Sequence, residues 1–386
     1  MQIYLDYSAT TKPCTEAIAL VQEIFALEGN ASSLHSWGEK AATALEIARI
    51  EVADLINAQP TDITFTSGGT ESNNLAIFGI AKQYSQPQHI IISSVEHPAV
   101  SEPVKILAQS GWEITQLPVN TQGRINPLDL KAAIQKNTVL ISIIYGQSEV
   151  GTLQPIAELA QIARNNQILL HTDAVQVTGR VDIDVETLGV DLLSMSSHKL
   201  YGPQGVGALY IRQGVQIEPH LYGGAQEQGL RPGTQPIAII AGFGAAAAKA
   251  KQELSRESLR LQQLRDRLFT HLADSPYLIP TGDRINRLPH HLSFIINPNY
   301  FDKKITGKTM VRQLNLAGIG ISSGSACQSG KLNPSPILLA MGYSQSEAIR
   351  GIRLTLGKDT QIADIDWTAM VLKQILQRLK PQLLTV

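Results

Sequence analysis

This sequence has little cysteine, few aromatics and few charges. Among 386 residues there are two cysteines, Cys14 and Cys327, with 5% aromatic and 17% charged residues. The charged share is below the roughly 25% usual for soluble chains. Two cysteines are too few for a disulfide framework or a cysteine metal cluster, so no metal site is expected. Lys and Arg number 32 against 33 Asp and Glu, a formal charge of −1. That balance implies no polyanion-binding surface, and direct binding to nucleic acid is not expected. The longest apolar run, Ile237 to Ala248, is well short of the ~20 residues a membrane span needs. The start, Met-Gln-Ile-Tyr-Leu-Asp, lacks the basic and apolar segments of a secretory signal. A cytoplasmic protein with no membrane partner is therefore expected, and 43% apolar residues argue against disorder.

The organisation follows from hydrophobic rhythm. Short apolar, β-branched runs at Asp62–Phe65, His89–Ser93, Glu113–Leu117, Val139–Ile144, Ile168–Thr172, Asp191–Met195 and Val206–Ile211 read as buried strands. Helical periods at Ala41–Ile56, Asn73–Tyr84, Pro98–Gln109 and Pro155–Asn165 lie between many of them. The alternation predicts an α/β fold with a mostly parallel sheet covered on both faces. After Gly233 a long helical stretch, about Ile237 to Leu272, is followed by three strand candidates, Leu292–Ile296, Gly318–Ser322 and Ile352–Leu356, and a last helix near Ile365–Leu379. The expected division is a large domain over residues 15–250 and a smaller α+β domain from residues 1–14 with 251–386.

Two motifs fail on inspection. Gly307-Lys308-Thr309 ends like a phosphate-binding P-loop, but Asp302 stands where that motif needs glycine. Gly242-Phe243-Gly244-Ala245-Ala246-Ala247 fits the loose dinucleotide pattern, yet no strand precedes it. Close helix packing by small residues is the expected reading.

Three strand ends carry polar clusters instead. Ser196-Ser197-His198-Lys199 follows one strand, Asp173-Ala174-Val175-Gln176 ends another, and Ser67-Gly68-Gly69-Thr70-Glu71 opens a helix. A helix mouth of small residues favours a phosphate, and a carboxylate ending an apolar strand needs a partner. A lysine, an anion cradle and a partnered aspartate are what pyridoxal 5'-phosphate (PLP) requires.

Together with Leu5 to Thr11, Asn30 to His35, Glu96-His97, Gly223 to Thr234 and Ser322 to Cys327, these segments resemble the cysteine desulfurases of the NifS/IscS type. Those belong to the class-V aminotransferase-like branch of fold-type I PLP enzymes. The resemblance implies that Lys199 forms the Schiff base and Asp173 pairs with the ring nitrogen. It implies that Gly69, Thr70, Ser196 and His198 hold the phosphate, that His97 stacks on the ring and helps move protons, and that Gln176 bonds the phenolate oxygen. Thr234 would reach the cofactor of the partner subunit in a homodimer, Arg353 would bind the substrate carboxylate, and Cys327 would carry the persulfide. L-cysteine is the implied substrate, and an iron–sulfur scaffold or a tRNA-thiolation protein the implied acceptor. Read singly, His97 suits a helix cap, Gln176 suits backbone groups, and Arg350 reads as a surface charge on a strand. Cys14 is expected to be structural.

One departure concerns Tyr145-Gly146-Gln147-Ser148-Glu149, where Ser148 replaces an asparagine that bonds the phenolate oxygen in the family. Ser148 would act through water, Gln147 would substitute, or Gln176 would serve alone. The rival readings are selenocysteine lyase or another C–S lyase on the same scaffold and, from a different class, a non-catalytic adaptor.

Overall fold

A computed structural model describes residues 2–324 and 333–380. In chain order it contains β1 (Ile3–Tyr4), α1 (Thr15–Phe25), α2 (Ser36–Leu55), β2 (Ile63–Thr66), α3 (Gly69–Ala81), β3 (His89–Ser93), α4 (Pro98–Gln109), β4 (Glu113–Leu117) and α5 (Pro127–Ala133). Next come β5 (Thr138–Ile144), α6 (Ile156–Asn165), β6 (Leu169–Asp173), α7 (Val185–Leu188), β7 (Leu192–Ser196), β8 (Gly207–Ile211) and α8 (Ile237–Leu272). The remainder is β9 (Leu278–Pro280), β10 (His291–Ile296), α9 (Gly307–Leu316), β11 (Ile319–Gly320), β12 (Ser322–Ser323), α10 (Pro336–Ala340), α11 (Gln345–Ala348), β13 (Gly351–Thr355) and α12 (Ile362–Leu379).

The large sheet has seven strands in the order β2-β8-β7-β6-β5-β3-β4. Only β8 runs against its neighbours; the other pairings are parallel. Helical crossovers cover both faces, so β3 reads His-Ile-Ile-Ile-Ser and is buried throughout. The topology gathers the carboxyl ends of β2, β3, β5, β6 and β7 along one edge, where such sheets place their ligands.

The second sheet is antiparallel, in the order β12-β13-β10-β9. A parallel pair, β1 with β11, brings the chain start beside it, and Asp6 bridges to Thr355 just beyond. The expected strand over Gly318–Ser322 is divided: β11 pairs with β1 and β12 pairs with β13. A two-residue strand leaves too few positions for an alternating pattern, which is why β1 lacked a signal. Arg350 corrects another expectation. It is 2% exposed and its Nη2 donates to the carbonyls of Phe301 and Asp302, so its charge is tied to backbone inside the protein.

Helix α8 serves both cores. Phe243, Ala246 and Ala247 join the large-sheet core, while Leu261, Leu264 and Leu268 join that of the second sheet. Position 250/251 lies inside this helix. A Cβ on Gly244 would come 2.6 Å from Ala48 Cα of α2, so the glycines of the loose dinucleotide pattern are there for close helix contact.

Candidate active site

Lys199 ends the short turn Ser197–Lys199 that follows β7. Its Nζ donates to the carbonyls of Ser8 and Ala9, both at 2.7 Å. Burial, with Arg353 and Arg180 adding positive potential, pulls its amine down to about 8. Arg180 also fixes the backbone, since its Nη2 donates to the Lys199 carbonyl at 2.9 Å. An amine in that range is still mostly protonated at neutral pH, but its nucleophilic, uncharged fraction is far larger than that of a free lysine. His198 beside it meets Thr10 Oγ1 at 3.1 Å, and burial together with Lys199 lowers its imidazole to about 4. The ring is therefore neutral.

Asp173 ends β6, 4% exposed. Its carboxylate accepts from neutral groups: Asn73 Nδ2 at 2.8 Å and the Val175 amide at 3.0 Å. This meets the demand that a buried carboxylate find donors, and it keeps the charge uncancelled by any cation in these two bonds. Asn73 comes from α3, the helix whose mouth is Gly68-Gly69-Thr70. Gly68 has φ +153°, a conformation that only glycine adopts readily. A Cβ on Gly69 would stand 2.6 Å from Val175 Cγ2, so the backbone lies directly against the turn after Asp173. Ser67 is held by its amide donating to Glu71 Oε2 at 2.7 Å, and Ser196 is buried at the end of β7.

Arg353 approaches from β13 of the second sheet. Its Nη1 donates to the Ser148 carbonyl at 3.0 Å, and its Nη2 to Asp6 Oδ1 at 2.7 Å. The Nε is buried without a partner. His291 Nε2 donates to the same Ser148 carbonyl at 3.0 Å, so the Ser148 turn is fastened by two side chains of the second sheet.

Residues 3–367 match the family described as aminotransferase class-V. The chain belongs to the class-V aminotransferase family. It is 44% identical over 385 residues to a cysteine desulfurase IscS of Dictyoglomus turgidum, covering 98% of this chain and 95% of the relative. Among solved structures, a NifS-like protein superposes with a TM-score of 0.91 at 32% identity, covering 98% of this chain and 100% of that one. A structure titled as SspA in complex with cysteine gives a TM-score of 0.81 at 33% identity, over 92% and 99% of the two chains. These neighbours share the fold-type I architecture that the resemblance implied, with the mostly parallel α/β sheet expected from the strand and helix rhythm.

Within this class-V framework, several expected residues take definite positions. His97 caps α4, its Nδ1 accepting from the Ala99 amide at 3.1 Å, which leaves Nε2 as the N–H of the ring. The cap reading and a proton-handling role are thus compatible. Gln176 uses Nε2 to bond the Ser8 carbonyl at 2.9 Å, while its Oε1 is buried and unpartnered. Gln147 is consumed by its own turn: Oε1 accepts from the Glu149 and Val150 amides and Nε2 donates to the Val95 carbonyl. It is therefore no substitute for an asparagine at 148. Thr234 is exposed, in a segment anchored by Arg231 on Glu71 at 3.0 Å. Cys327 lies outside the described residues. Asn73, Asp6 and His291 were not singled out from the sequence, because their partners stand 100 or more positions away.

Proposed function

We propose that the protein is a PLP-dependent cysteine desulfurase that converts L-cysteine to L-alanine and passes the sulfur onward as a persulfide. The observation that carries this reading is the convergence of Lys199, Asp173 and the Gly69 helix mouth at one sheet edge, faced by Arg353 from the other sheet. The residues suit PLP: a lowered amine, a buried carboxylate bonded by neutral donors, an anion-seeking helix mouth, and a buried Gln176 oxygen without a partner. When bound, PLP supplies an electron sink that stabilises negative charge at the substrate α-carbon. Lys199 would hold the cofactor covalently and, once released, take the α-proton at Nζ. Asp173 would keep a proton on the ring nitrogen. Gly69, Thr70, Ser196 and His198 would hold the phosphate, with the neutral His198 ring offering a hydrogen bond in place of a charge.

His97 would lie over the ring and exchange a proton at Nε2. Arg353 would take the substrate carboxylate, using the unpartnered Nε together with Nη2 as a fork. Because Gln147 is occupied and the Ser148 carbonyl is fixed, the phenolate contact falls to Gln176 or to the Ser148 hydroxyl. Cys327 would accept the substrate sulfur as a thiolate: an S–S bond forms, the substrate C–S bond breaks, and the α-carbon skeleton leaves as alanine. Thr234, exposed and anchored, would reach the phosphate of a second copy in a homodimer. We place the enzyme in the cytoplasm, with an iron–sulfur scaffold or a tRNA-thiolation protein as acceptor. We take residues 15–250 and the remainder as its two domains.

The test is incubation with PLP and L-cysteine, measuring alanine and the mass of the Cys327 peptide. Alanine with one added sulfur on that peptide is expected. Cys327→Ala should lose the persulfide while keeping absorbance near 400 nm; undiminished persulfide in that variant would sink the assignment. Faster turnover of L-selenocysteine than of L-cysteine would favour the lyase reading instead.

A further inference from the structure

The turn Asp6–Ala9 holds two partners of the site at once. Asp6 Oδ1 accepts from Arg353 Nη2 at 2.7 Å, while the Ser8 and Ala9 carbonyls accept from Lys199 Nζ at 2.7 Å each. The turn is closed by the Ala9 amide on the Asp6 carbonyl at 2.9 Å. A second anchor is the Ser8 amide on Thr355 Oγ1 at 2.9 Å, two residues from Arg353 on β13. One short turn therefore presents a carboxylate and two carbonyls between the arginine and the lysine.

We propose that Asp6 is a specificity-determining residue that receives the α-ammonium group of the substrate and turns away carboxylic acids lacking one. This rests on the reading that Arg353 binds the substrate carboxylate. A simple carboxylate arriving at Arg353 meets a guanidinium already paired with Asp6, and two carboxylates on one fork repel. A zwitterion brings its own cation, which replaces the positive charge Asp6 would otherwise have to share. Its ammonium is an N–H donor, and the turn offers it the Asp6 carboxylate, with the Ser8 and Ala9 carbonyls beside it left free by a Lys199 that holds the cofactor. Asp6 is thus a resident counter-ion for Arg353 when the site is free of substrate, and an ammonium partner when an amino acid enters. The potential at Lys199 agrees with this placement, since Asp6 is among the groups that favour its charged form.

The experiment uses the full-length, PLP-loaded protein and two near-isosteric probes, N,N-dimethylglycine and isovalerate. Neither carries the primary amine needed to join the cofactor, and they differ in the cationic centre. Titration calorimetry at neutral pH should give N,N-dimethylglycine at least about tenfold tighter binding, as expected for a hydrogen-bonded charge pair. Asp6→Asn should bring the two within about twofold, chiefly by tightening isovalerate. Asp6→Glu should keep a preference for the zwitterion. Equal affinity for the two probes in the wild-type protein overturns the proposal whatever the variants do, and so does an unchanged preference in a folded Asp6→Asn. Arg353→Gln separates the two readings: if it leaves isovalerate binding unchanged, the arginine assignment fails, whereas a large loss with no zwitterion preference in the wild type defeats the Asp6 assignment alone.

Discussion

The two halves of the site solve the problem of buried charge in opposite ways. On the large sheet, Asp173 is surrounded by neutral donors, Asn73 and a backbone amide, and His198 is held neutral. On the second sheet, Arg353 is paired with a carboxylate and a carbonyl. Neutral partners leave a charge available to act on a bound group, because the donors that hold it carry no opposing charge. A charged partner stores the arginine ready to exchange one anion for another. The first arrangement suits a resident cofactor and the second suits a substrate that comes and goes.

Breaking the cofactor half outright gives the largest effect. Lys199→Ala should lower kcat by at least about 10⁴-fold, the loss of both a covalent anchor and an acid–base group. Absorbance near 400 nm should vanish while the Arg353 side stays folded, which circular dichroism would check. Removing the substrate half is expected to be milder and to fall on a different constant. Arg353→Gln should raise KM for L-cysteine by about 100-fold, as loss of two charge-assisted hydrogen bonds implies, with cofactor absorbance unchanged. If instead the absorbance is lost with KM intact, the division between the halves is wrong.

A subtler break is Asn73→Ala. Asp173 would lose a neutral donor, and a fall in kcat of about tenfold is expected. The shift of the cofactor absorbance band distinguishes this from simple misfolding.

The smallest effect is one on stability. Glu149, packed against Gly324, is buried, and burial raises its carboxyl to about 8 against the opposing influence of Ser335 and Arg353. The unfolded chain releases that proton in the ordinary carboxylate range, so between there and about pH 8 the folded state holds the extra proton. Stability then declines as pH rises through that window. Glu149→Gln should flatten the fall in melting temperature between pH 5 and 8. It should not abolish it, because buried Glu96 is likewise raised to about 8. An unchanged slope would show Glu149 to be ionised in the folded protein.

The sequence by itself determined the alternating architecture and the polar clusters at its strand ends. Runs such as His89–Ser93 and Ile237–Leu272 appear in the structure with the same bounds, since burial on both faces leaves a continuous apolar record in the strand and burial of one face a helical period in the helix. Lys199, Asp173 and the Gly68-Gly69 mouth were legible because each follows a strand within a few residues. Tertiary structure alone decided who partners whom. Asp6 and Arg353 lie 347 positions apart, and Asn73 and Asp173 100 apart. Arg350 looked solvated until the fold enclosed it. Periodicity reports which face of an element is buried; it carries no information about which distant charge a buried group meets, because that is set by packing between elements.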